Sequence, residues 1–334
     1  MTHQNQHQEV AQKLVSAYQG QEPLAAYLKK YFAANKKHGS KDRKSISAFC
    51  YAHFRTLNAN FPLKEAISKE IDIPTFIHSH AIQPLLFIRI RPWQKEKVVA
   101  ALLDASIEYI QINEHCFAFS NTTSLQNILA LNKEVVIQDL NSQALAELLT
   151  IVPTSMETPI QVWDACAASG GKTILMFDTM QNIRMHVSDV RESILFNADK
   201  RLEEAGIRPA SVQVIDLTEP FDIKKPFDFV FADLPCSGSG TWGRTPEQIA
   251  FFKKENLDHY TDLQSKIIAN ILPTVKLNGH LLLATCSVYA AENEAHVQAI
   301  ISQGQFELVE QKYFIGYKQQ ADTLFGAILK RCSV

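Results

Sequence analysis

The sequence contains no run of the ~20 uninterrupted apolar residues that a membrane-spanning helix requires, so no spanning helix is expected. It has no excess of either charge: 33 Lys+Arg stand against 35 Asp+Glu, a formal net charge of −2, and the balance by itself does not point to a polyanionic partner. Its polar start, MTHQNQHQEVAQ, lacks the basic-then-apolar order of a secretory signal. Six cysteines (Cys50, Cys116, Cys166, Cys236, Cys286 and Cys332) form no CxxC pair and have no histidines at zinc-finger spacing beside them. That excludes a zinc ribbon and argues against a secreted disulfide scaffold. A cytoplasmic protein with free thiols is expected, and most such thiols are small core residues. His78-Ser-His80 lacks a third ligand, so no metal is expected.

The chain has 334 residues, 46% of them hydrophobic and 20% charged. This composition excludes wholesale disorder, collagen and coiled coil. At about 150 residues per domain, the length allows two domains or three. Residues 1 to about 10 are Gln/His-rich and expected to fray. Helical spacing then brings up Val10, Leu14, Ala17, Leu24, Tyr27, Leu28, Tyr31 and Phe32, and again Ile46, Phe49, Cys50, His53, Phe54 and Leu57, which predicts a helical domain over 1–80. Its segment 29–44 is basic: Lys29, Lys30, Lys36, Lys37, Lys41, Arg43 and Lys44 are opposed only by Asp42. Such a segment is either a solvated charged face or a surface for RNA. Residues 81–150 read as a small α+β segment: strand-like LLFIRIRP, helical WQKEKVVAALLDA, then the short strands EYIQI and CFAFS.

From about 151 strand and helix patterns alternate: IQVWDA, GKTILMFDTM, RMHVSD, RESILFNADKRLEEAG, SVQVID, FDFVFAD, a helix over 260–276, GHLLLATCS and ENEAHVQAII. FELVEQKYF and LFGAILKR close the chain as an antiparallel pair. The fold class is therefore α/β, with a doubly wound, mostly parallel sheet over 151–334. Ligands of such sheets bind beyond the carboxyl ends of the strands. Those ends carry Asp164-Ala-Cys-Ala-Ala-Ser-Gly-Gly-Lys172, Asp189, Asp216, Asp233-Leu-Pro-Cys236 and Thr285-Cys286-Ser287. The first is a Gly-containing turn at a helix start, able to bring backbone N–H groups to a ligand, but it has neither P-loop nor dinucleotide-fingerprint spacing. Each acid alone reads as a turn residue and each cysteine as core. Five successive strand ends carrying them together read as a site.

DACAASGGK, DLPCSGSGTWGRTPE and TCSVYAAENE resemble the signature motifs of the Sun/Fmu (RsmB-like) family of RNA cytosine-C5 methyltransferases. The similarity covers about 135–334, including VIQDLNSQ and the DTLFGAILKR ending, and LPCSG with TCS is a specific combination. Within 41–130, DRKSISAFCYAHFR resembles the family's NusB-like RNA-binding module, and LFIRIRP its leader strand. The resemblance implies a class I (Rossmann-like) methyltransferase core that uses S-adenosyl-L-methionine and acts on ribosomal or transfer RNA as a monomer. Cys166, Ala167, Ala168, Ser169, Gly170, Gly171 and Lys172 would form the cofactor turn. Asp189 would hold the ribose hydroxyls, Asp216 would lie near the adenine and Asp233 between cofactor and base. Cys286 would be the nucleophile and Cys236 would assist product release. Arg244 and Glu247 fall in the family's RxPE segment. Arg244 is expected to touch the RNA, and Trp242, beside the Pro-Cys loop, to stack on a base; Trp93 and Trp163 are expected to pack.

The chemistry accounts for these residue types. Cytosine C5 is a poor nucleophile until a thiolate adds to C6 and makes it enamine-like. Charge then accumulates at N3 and O2 and needs a partner, for which Asp233, three residues from Cys236, is placed. Lys172 would lower the thiol below its free value of about 8.5. A second thiol offers a base for the C5 proton. The base must be unstacked or single-stranded to be reached. Two departures stand out: Ser169 replaces the family's proline, and Gly243-Arg244 replaces paired arginines. The rival assignments are Cys236 as nucleophile, as in DNA cytosine-C5 methyltransferases, and a catalytically silent RNA-binding or assembly factor.

Overall fold

A computed structural model describes residues 3–221 and 226–333. The first helix, His3–Ala17, includes the Gln/His-rich start that was expected to fray. Ala11, Leu14 and Tyr18 are buried against the helices Leu24–Ala34 and Ser40–Arg55. Farther back, His7 is held by Asp42 (3.1 Å) and Ser45 (3.1 Å). Packing and this polar anchor keep a helix that composition alone would let fray.

A four-stranded antiparallel sheet follows, in the order β2-β3-β1-β4, where β1 is Leu86–Ile90, β2 Ile110–Gln111, β3 Cys116–Phe119 and β4 Val135–Ile137. Of EYIQI only two residues pair. The helix Lys95–Asp104 covers this sheet through Val98 and Leu102. Trp93 does not pack as expected: it is 94% exposed, at a left-handed φ of 61°. A turn closed by the Gln94 amide on Arg91 O (3.2 Å) sends the indole outward, while Arg91 turns in to Asp178 (2.8 Å).

The main sheet has seven strands: β5 Ile160–Asp164, β6 Ile183–Asp189, β7 Ser211–Val214, β8 Phe227–Asp233, β9 Val275–Thr285, β10 Phe306–Phe314 and β11 Leu324–Arg331. Their order is β10-β11-β9-β8-β5-β6-β7. The five strands from β9 to β7 are parallel, and β11 and β10 are antiparallel additions. Side chains alternate across it. Val162, Phe229, Phe231 and Leu282 enter one core, against the helix Gly171–Thr179. Trp163, Val230, Leu281 and Leu283 enter the other, against the helix Lys254–Ile271. Trp163 thus packs, as expected. The helix read over 260–276 starts earlier and ends at Ile271, because Pro273 has no N–H to continue it; β9 begins four residues later. A third core joins Phe61, Ile67 and Phe76 to Trp242, Ile249 and Tyr289, so the segment after the first three helices is built into the loops that follow β8 and β9.

Candidate active site

The carboxyl ends of β5, β6, β8 and β9 meet along one edge of the sheet, joined by side-chain contacts. After β5 the chain turns with Ala168 at φ 46° and Gly170 at φ 78°, and Gly171 opens a helix. Ser169, without proline's fixed φ, is held instead by Arg201, whose Nη1 donates to Ser169 O (2.8 Å) and Oγ (3.0 Å). Below the turn Asp164 is fully buried. Thr173 donates to its Oδ2 (2.6 Å), while Oδ1 has no partner among the described residues. Burial pushes this carboxyl up to about 7, against the Thr173 bond. An acid raised above its unfolded value of about 3.9 contributes stability that is full below that value and is lost as pH rises through about 7. Asp164→Asn keeps the Thr173 bond and removes the titration. The difference in unfolding free energy between Asp164→Asn and the parent is therefore expected to shift in the variant's favour between pH 4 and 8, by an amount on the order of a few kcal/mol at most. Melting curves across that range check this, and a pH-independent difference overturns it.

Asp189, at the end of β6, has the four acceptor positions of its carboxylate filled. Ala168 N–H (2.9 Å) and Arg191 Nη2 (3.1 Å) donate to Oδ2; Arg191 N–H (2.9 Å) and Nε (3.0 Å) donate to Oδ1. Burial alone would raise Asp189, but the Arg191 and Ala168 bonds hold it below the usual carboxylate range. The Arg191 guanidinium is mostly exposed, so a diol arriving there has only a mobile side chain to displace. Asp216 lies at the same edge beyond β7, exposed, its Oδ1 accepting from Thr218 N–H (2.9 Å) and Oγ1 (2.7 Å).

The loops after β8 and β9 bring Cys236 and Cys286 together, Sγ to Sγ 3.4 Å, though they are 50 residues apart in the chain. Beside them Lys172 Nζ donates to Asp233 Oδ2 at 2.6 Å. The charge of Lys172 is favoured by Asp233 and by Cys286 against its burial. The contact with Cys286, then burial, pushes the Cys236 thiol well up. One thiol thus stays protonated and can donate to its neighbour's sulfur, and the ammonium is within electrostatic reach of that neighbour. Cys166, on the cofactor turn, is raised by burial and the surrounding carboxylates and is therefore an inert packing thiol.

Two residues expected to contact RNA are turned toward the protein. Trp242 is 1% exposed, tilted on Phe61 and Phe252, and its Nε1 donates to Ser237 O (3.2 Å). It braces the Pro-Cys loop from behind and has no free face for a base. Arg244 is spent on the protein: it donates to Asp322 (2.9 and 3.0 Å), Asp139 (2.7 Å) and Leu85 O (3.1 Å). A single arginine between two buried carboxylates is a clamp, with Nε, Nη1 and Nη2 each donating within the protein. Glu247 is also buried, capping the helix at Leu24 (3.1 Å). Sequence reasoning missed Asp139, Asp322 and Glu292. All three lie within motifs that were read, but Asp139 and Asp322 meet Arg244 across 105 and 78 residues, and Glu292 meets Ser237 across 55. Burial and the charge of Asp139 push Asp322 up to about 7, against Arg244.

A seven-stranded sheet in this order, with acids at its strand ends and a Gly-containing turn after the first parallel strand, defines a class I methyltransferase core. The model of the family described as 16S rRNA methyltransferase RsmB/F matches residues 148–324, more than half of the chain, and the chain belongs to that family. A probable ribosomal RNA small subunit methyltransferase B of Bacillus subtilis is 30% identical over 236 residues, covering 67% of this chain and 51% of that protein. The chain spans about half the length of the curated relatives it matches. Among solved structures, PH0851 is similar at a TM-score of 0.74 with 19% identity over 90% of this chain and 75% of that one. NSun6 from Pyrococcus horikoshii, solved with SFG, is similar at 0.69 with 14% identity over 84% and 98%. These two likenesses show the fold. Among the described residues no helix is long and apolar enough to cross a membrane, and no group of three or more His, Cys, Asp or Glu could hold a metal ion.

Proposed function

We propose that the protein transfers a methyl group from S-adenosyl-L-methionine to C5 of a cytosine in RNA, ribosomal RNA before transfer RNA, through a covalent bond between Cys286 and C6. The observation that carries this reading is the Cys236–Cys286 pair, 3.4 Å apart beside Lys172–Asp233. A thiol pair at the mouth of a methyltransferase cleft has no use in a transfer to oxygen or nitrogen, whereas C5 requires covalent activation.

The turn Cys166–Gly171 and Lys172 would hold the cofactor, with Asp189 on the ribose hydroxyls once Arg191 swings aside, and Asp216 toward the adenine. The unpartnered Asp164 Oδ1 beneath the turn and the largely exposed Arg191 side chain over Asp189 fit a polar ligand there. The cofactor supplies an electrophilic methyl on a sulfonium. The protein does the rest. The Cys286 thiolate adds to C6, and a proton from Lys172 passes through Asp233 to N3, where the electron pair accumulates. The enamine C5 then takes the methyl. With Cys286 bound to carbon, the contact that most raises Cys236 is gone. Cys236 can then release its proton to solvent and act as the base that takes the proton from C5. The C5–H electron pair forms the C5=C6 bond and expels the Cys286 thiolate, and N3 returns its proton through Asp233 to Lys172, which restores the ring.

RNA binding draws on residues 1–80, in which Lys29, Lys30, Lys36, Lys37, Lys41, Arg43 and Lys44 are all exposed while Asp42 is taken up by His7. Residues 81–150 connect them to the catalytic part, 151–334. The test is transfer of labelled methyl from S-adenosyl-L-methionine to unmodified ribosomal RNA, with bisulfite sequencing of the product. One new 5-methylcytosine is expected. No transfer to ribosomal or transfer RNA would leave the silent-factor reading in its place.

A further inference from the structure

The two thiols come from separate loops, and each loop is tied to the same buried side chain. Glu292 is 1% exposed. Its Oε1 accepts from the Ser237 amide (2.7 Å), and its Oε2 accepts from Ser237 Oγ (2.5 Å) and from Ser287 Oγ. Ser237 adjoins Cys236 and Ser287 adjoins Cys286. Ser239 Oγ lies 3.2 Å from both serine hydroxyls and accepts from Val288 N–H (2.9 Å). Asn293 braces the same corner, accepting from Thr285 Oγ1 (2.5 Å) and donating to Ser287 O (2.9 Å). Burial raises Glu292, and its three bonds oppose that. Charge-assisted bonds from both loops to one carboxylate are strong and directional, and in a water-free corner no solvent can replace them.

We propose that Glu292 is a positioning residue for the reaction: by bridging Ser237 and Ser287 it sets the spacing of Cys236 and Cys286, and without it the thiols separate. The proposal rests on the two-thiol reading above for its catalytic consequence, but the spacing can be read without any methyl transfer. A dithiol close enough to share one atom chelates phenylarsine oxide, two S–As bonds forming as the arsenoxide oxygen leaves with both thiol protons as water. The parent protein is expected to bind it tightly, and Cys286→Ser to lose the chelate.

Glu292→Ala is expected to weaken binding about 10- to 100-fold, the worth of the charged hydrogen bonds removed. Ser287→Ala, which cuts only the tie to the Cys286 loop, should lose less, and Glu292→Gln, which keeps an acceptor for the Ser237 amide, should recover most of the affinity. In turnover, Glu292→Ala should lower kcat while KM for both substrates moves less than about threefold, as for an interaction made only in the transition state. Parent-like arsenical binding in Ser287→Ala or Glu292→Ala overturns the proposal. So does a Glu292→Gln variant that loses binding as fully as alanine while melting at the same temperature. Absence of methyl transfer in the parent would sink the functional reading and leave the arsenical result standing.

Discussion

Cys286→Ala is expected to abolish methyl transfer, by about 10⁴-fold or more as for the loss of other covalent nucleophiles, and to abolish covalent trapping by RNA containing 5-azacytidine. Cys236→Ala should also stop turnover, but for the opposite reason. It retains the attacking thiol, so the adduct forms and, with no base for the C5 proton, persists on unmodified RNA. The structure supports this order. Cys286 is the thiol within electrostatic reach of Lys172, whereas Cys236 is pushed up by its neighbour and by burial, with the Glu292 carboxylate also bearing on it. A thiolate forms more readily beside an ammonium than beside a carboxylate. Denaturing gels of protein incubated with each RNA separate the two variants. If Cys286→Ala still forms the adduct and Cys236→Ala does not, the nucleophile is Cys236.

Gly240→Ala is expected to be nearly as damaging, with no chemical group lost. Gly240 threads between two strand ends: its N–H donates to Cys286 O (2.8 Å) and its C=O accepts from Thr323 N–H (3.0 Å). A Cβ there would lie 1.9 Å from Thr323 O and 3.0 Å from Cys286 O. Both obstacles are backbone, so the overlap can be relieved only by parting the Pro-Cys loop from β11 or from Cys286. Overpacking of this severity costs about 3 kcal/mol, which lowers the melting temperature by roughly 5–10 °C in a chain of this size, and the parted loops should lose the Cys236–Cys286 contact and with it kcat. Gly304→Ala is the comparison: unlike Gly240, Gly304 has a left-handed φ, 76°, and its added carbon meets nothing within 4 Å, so it carries only the backbone cost of about 1 kcal/mol. A melting loss in Gly240→Ala no larger than in Gly304→Ala would overturn the close approach at Gly240.

The parallel sheet was legible because its signal is local. Strands buried on both faces read as continuous apolar runs, and the helices between them repeat apolar residues at helical intervals. The acids and cysteines at the strand ends were legible for the same reason, each sitting next to its own strand. What could not be read there is which polar residues face the substrate and which face the protein. Trp242 and Arg244 sit in a motif that invites contact with RNA, yet Phe61 and Phe252 cover the one, and Asp139 and Asp322 consume the other. Phe61 stands about 180 residues from Trp242, and Asp139 and Asp322 stand 105 and 78 residues from Arg244, and no periodicity records them.

Trp93 shows the converse error, an apolar side chain left in solvent by a backbone turn. The near-neutral net charge is of the same kind: it averages over a basic surface on the helices at 29–44 and says nothing of where the cations face. The sequence by itself determined the order of strands and helices and the kinds of chemical group at their ends, because neighbours along the chain set both. Only the tertiary structure decided that two thiols 50 residues apart stand 3.4 Å from each other and that one buried glutamate joins their loops. Contacts of that range depend on how whole elements close on one another.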